Sequence, residues 1–101
     1  MQNLILILYS RKGCCLCQGL ENTLTLISLE SFRPKVDLKV VDIDHPNTSV
    51  EVKVRYDHEV PKLALFSKEM NRIFDLPRPS PRFNEEGLCR WLQKEITKIS
   101  N

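Results

Sequence analysis

YSRKGCCLCQGLENTL, residues 9–24, sets Cys14, Cys15 and Cys17 within four positions, where one sequence pattern stops and another begins. Before it, Leu4 to Leu8 is an unbroken run of Leu and Ile, the both-faces apolarity of a buried central strand. Ser10 to Gly13 is a short polar turn. After it, Leu16, Leu20, Leu24 and Ile27 recur at spacings of four, four and three, which predicts an amphipathic helix closed by Pro34. The cysteines therefore follow a strand and open a helix.

Working outward, VDLKVVDID at 36–44 reads as a second strand, so strand, helix and strand form a parallel unit with a right-handed crossover. Residues 46–57 carry two conflicting signals. Val50, Val52 and Val54 alternate with charged residues as in a strand. Val50 and Val54 also stand one helical turn apart, Asn47 or Thr48 offers a cap, and Glu51 with Arg55 has ion-pair spacing. Local propensity favours the strand. KLALF at 62–66 and NRIFDL at 71–76 read as an antiparallel hairpin. PRPSPR at 77–82, with three prolines, is an extended connector. Asn84 caps a last helix whose apolar face is Leu88, Trp91, Leu92, Ile96 and Ile99, with the stem of Glu95 among them.

A length of 101 residues suits one domain over 1–101, and 42% hydrophobic with 28% charged residues suits a folded soluble chain rather than a disordered one. A formal charge of +2, with basic residues scattered among acids, gives no electrostatic case for nucleic acid. MQNLILILYS lacks the basic start, long apolar stretch and cleavage site of a signal peptide, and no run approaches the ~18 apolar residues of a membrane span. The expected setting is the cytoplasm or an equivalent reducing compartment. There, clustered cysteines are catalytic or metal-binding more often than stapling.

Cys14 and Cys17 form a C-x-x-C pair. At a helix start, unpaired N–H groups and the positive end of the helix stabilise a thiolate, the nucleophile of disulfide exchange. Arg11 and Lys12 add positive charge, and Gly13 leaves room for a partner to approach. Cys14, nearer the helix start, is the expected attacking sulfur. Cys17, one turn in on the buried side, is the expected resolver. Cys15 reads as a spectator and Cys89 as a small buried hydrophobe. The pair could also be half of a zinc site completed by His45, His58 or Cys89. No second clustered pair with ligand spacing exists, so we expect no metal.

Taken together, LILILYS, RKGCCLC, LKVVDID and YDHEVPKLALF resemble the glutaredoxin-like branch of the thioredoxin superfamily, nearest its C-x-L-C subgroup. The resemblance implies an α/β thioredoxin-like fold, a four-stranded mixed sheet in the order β-α-β-α-β-β-α, and a helix over 47–56 despite the valine alternation. It further implies a cis Val60–Pro61 bond facing the cysteine pair, with the main chain of Val60 open to an extended substrate. Arg11 stands where relatives hold a basic residue that contacts glutathione. The implied activity is thiol–disulfide exchange on protein or glutathione mixed disulfides, by a monomer with no tightly bound cofactor. Electrons would come from glutathione or a disulfide reductase. Two departures stand out: PRPSPRFNEEG replaces the Gly-Gly and acidic or polar pair that precede the last helix in relatives, where the helix start receives a glutathione carboxylate, and Cys15 replaces a proline or aromatic residue. Glu85 and Glu86 would repel a carboxylate there, with Arg78 or Arg82 as substitutes. The alternative from another class is a non-enzymatic adaptor or metal-binding module on the same fold.

Overall fold

Seven elements follow one another in the computed structural model, which describes residues 4–27, 29, 32 and 35–100. They are β1 (Leu4–Ser10), α1 (Cys15–Leu26), β2 (Val36–Asp42), α2 (Val50–Tyr56), β3 (Lys62–Ser67), β4 (Arg72–Asp75) and α3 (Glu85–Ser100). The sheet order is β2-β1-β3-β4. β1 runs parallel to β2, with Leu6 opposite Leu38, and antiparallel to β3, with Leu6 opposite Leu65. β3 and β4 form the antiparallel hairpin, with Phe66 opposite Ile73. Four mixed strands with flanking helices make the thioredoxin-like fold, as expected.

β1 is buried on both sides because it is central and paired along both edges. Leu4, Leu6 and Leu8 point to one face, where Leu24 of α1, Leu63 and Leu65 of β3, and Leu88, Leu92 and Ile96 of α3 close a single core. The alternate residues of β1, Ile7 and Tyr9, meet Ile43, Tyr56 and Ala64 on the other face. α3 follows its pattern: the Asn84 carbonyl oxygen Oδ1 accepts from the Gly87 N–H at 2.8 Å, capping the start. Glu95 is buried to its carboxylate, which faces Lys98 Nζ at 3.4 Å.

The helix reading of the valine-rich segment holds, with shorter bounds than 47–56. Ser49, not Asn47 or Thr48, caps α2, its Oγ accepting from the Val52 N–H at 3.3 Å. Thr48 Oγ1 instead donates to the Asp42 carbonyl at 2.7 Å, and the Asn47 N–H donates to His45 Nδ1. Val50 and Val54 are left 76% and 72% exposed, the result of forcing an alternating pattern into a helix. What holds α2 is its other pair, Val52 and Tyr56, one turn apart and facing the sheet. Tyr56 stacks on Tyr9 with ring centroids 4.2 Å apart. The expected Glu51–Arg55 pair is not the one Arg55 makes. Arg55 reaches across to Asp75 at 2.7 Å.

Leu16 is a second correction. It is 60% exposed and lines a surface depression, although Cys17 in the same turn is buried. The buried side of α1 begins at Cys17, 2% exposed, and continues through Leu20 to Leu24. Pro34, the expected helix stop, lies outside the described residues. In the β3–β4 turn Asn71 takes a left-handed φ of 50°, a conformation asparagine tolerates better than most side chains.

Candidate active site

Cys14 is the N-cap of α1. Its backbone is extended (φ −91°, ψ 106°), and its Sγ accepts from the Cys17 N–H at 3.2 Å. One orphan donor of the helix start is thus aimed at this sulfur, the arrangement that favours a thiolate. The Cys14 and Cys17 sulfurs lie at bonding distance, with Cα atoms 5.2 Å apart, inside the range of disulfides. Cys14 is half-buried and Cys17 buried, so one sulfur is accessible and the other sits behind it. Cys15 is exposed and free, and Cys89 is free and half-buried.

Gly13 turns the chain from β1 into this cap with φ +82°. A Cβ there would meet nothing within 4 Å, so the requirement for glycine lies in the backbone conformation, not in space. Lys12 beside it is exposed to solvent.

Arg11 is engaged in a way the sequence does not reveal. Its Nε and Nη2 grip both oxygens of Asp44, at 2.9 and 3.1 Å. Nη2 also donates to Asp57 Oδ1 at 2.7 Å, and Nη1 donates to the Asp57 carbonyl at 3.0 Å. This ties the cysteine loop to the end of β2 and to the segment leading into Pro61. Hydrogen bonds from Arg11 hold both carboxyls below the ordinary aspartate range, and the two carboxylates in turn push the guanidinium's pKa up. Most of the charge on Arg11 is therefore answered within the chain. Lys53 also approaches Asp44, at 3.4 Å. Asp44 and Asp57, which sequence reasoning missed, stand 33 and 46 residues from Arg11, with no local signal to join them.

The Val60–Pro61 bond is cis. Pro61 is buried at the head of β3 and lines a depression of about 320 Å³, together with Cys15 and Leu16. A second depression, of about 260 Å³, holds Cys14, Cys17, Arg11 and Lys12 and shares Cys15 with the first. The structure thus brings Cys14, Cys17, Lys12 and Arg11 to one hollow and sets Pro61 in the hollow next to it. Arg78, proposed from sequence as a substitute anion ligand, donates through Nη2 to the Glu59 carbonyl at 3.0 Å. Among the described residues no three His, Cys, Asp or Glu side chains converge to hold a metal.

With this geometry in place, comparison with known proteins is decisive at the family level. The sequence model of the glutaredoxin-like domain family (DUF836) matches residues 5–93. The chain belongs to that family. The matched span runs from β1 through most of α3 and includes both cysteines of the glutaredoxin-like pair. Among solved structures, a structural-genomics target protein, XcR50, from X. campestris is 25% identical, with 88% of this chain and 96% of that one covered at a TM-score of 0.49. A structure described as that of a malarial protein is 16% identical, with 91% and 96% covered at a TM-score of 0.58, a likeness of fold. No curated protein matches the chain. Among the described residues no helix is long and apolar enough to cross a membrane.

Proposed function

We propose that this glutaredoxin-like chain is a thiol–disulfide oxidoreductase, with Cys14 as nucleophile and Cys17 as resolver. The observation that carries the reading is the pair itself: two sulfurs at bonding distance, the outer one at a helix N-cap and accepting a main-chain N–H. In the reduced protein the Cys14 thiolate attacks one sulfur of a substrate disulfide. The substrate S–S bond breaks, a Cys14–substrate disulfide forms, and the departing thiolate takes up a proton. The Cys17 sulfur, deprotonated, then attacks Cys14 Sγ, which closes the internal disulfide and releases the second substrate thiol. Two electrons and two protons pass to the substrate.

The other proposed roles follow from position. Lys12 is an exposed cation beside the attacking sulfur, with no ion pair among the described residues. Arg11 acts chiefly by holding the cysteine loop against the loop that precedes Pro61, with its outer edge available to a substrate. Val60 offers its main chain to an extended partner, since its N–H and C=O take no hydrogen bond among the described residues. Substrates are protein or glutathione mixed disulfides, and a thiol such as glutathione, or a disulfide reductase, regenerates the dithiol. The protein works as a monomer without a bound cofactor, in the cytoplasm or another reducing compartment.

The test is a trapping experiment. Cys17→Ser should accumulate a covalent adduct with a disulfide substrate, seen by non-reducing mass spectrometry, and Cys14→Ser should accumulate none. Retention of parental activity by Cys14→Ser would overturn the assignment and favour an adaptor or metal-binding role.

A further inference from the structure

The proline-rich connector has a structural use that the exchange chemistry does not require. Pro79 is buried, and the connector closes in a turn in which the Phe83 N–H donates to the Ser80 carbonyl at 3.1 Å. The connector thereby forms one wall of the 320 Å³ groove, facing α1. Across it stand Leu16, 60% exposed, and Leu20, with Phe83, 36% exposed, at the rim. Gly19 leaves the α1 wall open, since a Cβ there would meet nothing within 4 Å. Proline fixes its own backbone, so this wall is set before any ligand arrives.

The polar groups of the groove are mostly spoken for. Thr23 Oγ1 donates to the Gly19 carbonyl at 3.0 Å, and Ser80 Oγ accepts from the Arg82 N–H at 3.2 Å. Among the described residues Arg78 is the one charged side chain in the lining. It bonds a carbonyl and takes part in no ion pair among the described residues, and no acid lines the groove. The site is therefore apolar with a single unanswered positive charge. It meets the hollow holding the Cys14 sulfur at Cys15.

Resting on the function proposed above, we infer that this groove selects the substrate: an extended segment of a partner protein bearing a large apolar side chain and an acid beside its half-cystine, because the groove adjoins the hollow of the Cys14 sulfur at Cys15. With that half-cystine joined to Cys14, the neighbouring side chain crosses Cys15 into the groove, and its acid faces Arg78. Glutathione disulfide has no apolar side chain to place there. The start of α3 is also closed to it, by the Asn84 cap and by Glu85 and Glu86 in the first turn.

The experiment is single-turnover reduction by the stoichiometrically reduced protein. The probes are a disulfide-linked peptide dimer with leucine and aspartate flanking the cysteine, its counterpart with serine at both places, and glutathione disulfide. The parent should reduce the first about tenfold faster than either other probe, the scale of one partly buried apolar side chain. Gly19→Leu, which fills the groove from a helical position where leucine is favoured over glycine, should bring the three rates within about threefold. Phe83→Ala should lower the preference, and Arg78→Gln should remove the part due to aspartate. Val54→Ala, on the far helix α2, should keep the parental ratio. Equal rates in the parent, or a preference that survives Gly19→Leu, would overturn the proposal. So would a parent that sediments as a dimer and becomes monomeric on Gly19→Leu, because a second copy would then be the occupant. If the parent reduces none of the three probes, the exchange function itself fails, and the proposal with it.

Discussion

Against the side of the sheet that carries Leu4, Leu6 and Leu8 lie helices of twelve and sixteen residues, and against the side that carries Ile7 and Tyr9 lies one of seven. The first side is sealed by apolar side chains, mostly leucine with Phe32, Val36 and Ile96, so its cohesion is area removed from water and close packing. The second cannot be sealed by so short a helix. Its cohesion is directional: a stacked tyrosine pair, the Tyr56 hydroxyl donating to Asp75 at 3.0 Å, Arg55 on the same carboxylate, and Arg11 on Asp44 and Asp57. The difference teaches a division of labour. The leucine side holds the fold, and the polar side holds the loops that lead into Cys14 and into Pro61.

The largest effect should come from the leucine side. Leu6→Ala, at a fully buried site of the central strand, should lower unfolding free energy by about 2–5 kcal/mol, measured by urea titration. Next, Tyr56→Phe keeps the stacking and removes the bond to Asp75, and should cost about 1–2 kcal/mol. Burial, followed by the Asp75 hydrogen bond, raises the Tyr56 pKa well above its ordinary value of 10. The unfolded chain therefore ionises first, and stability present below about pH 10 is lost as pH rises beyond it. Tyr56→Phe should flatten that alkaline limb. A cost equal to that of Leu6→Ala would break the comparison, since the polar side would then be holding the fold as well.

The smallest effect concerns Arg11. It keeps Asp44 and Asp57 deprotonated below the ordinary carboxylate range, so their contribution is present above about pH 4 and lost as pH falls through their lower folded values. Arg11→Gln should reduce the difference in melting temperature between pH 3 and pH 7. Because these groups are open to solvent over a third or so of their side chains, salt should shrink the parent's difference toward that of the variant. An unchanged acid limb in Arg11→Gln would mean that the clamp contributes nothing measurable.

Much of this architecture was legible beforehand, and the exceptions are instructive. β1, β3 and α3 each carry a pattern that matches their burial, so local reading sufficed, and β4 follows as the exposed edge of the hairpin. α2 does not: Val50, Val52 and Val54 alternate as a strand would, and only the family resemblance turned the segment into a helix. The physical reason is Tyr56, whose stacking partner Tyr9 lies 47 residues away in sequence and outweighs the preference of three valines. Cys14 and Cys17 were readable from spacing and position. The partners of Arg11 were not, because ion pairs between distant loops leave no periodic trace. Leu16 misled because its spacing from Leu20 and Leu24 marks a helical face without telling how much of that face the core covers.

The pairing of Leu6 with Leu65 also bears on the order in which the protein is made. Some sixty residues separate the two, so at about 5–20 residues per second β3 follows β1 from the ribosome by about 3–12 s. β2 emerges sooner and can zip against one edge. The other edge of β1, with its Leu and Ile side chains, then stays open until the hairpin arrives, an unpaired strand of the kind that templates aggregation. One of the most deeply buried segments of the finished molecule is therefore the nascent chain's most exposed liability, and early α1 formation against its leucine side is the cover available in that interval.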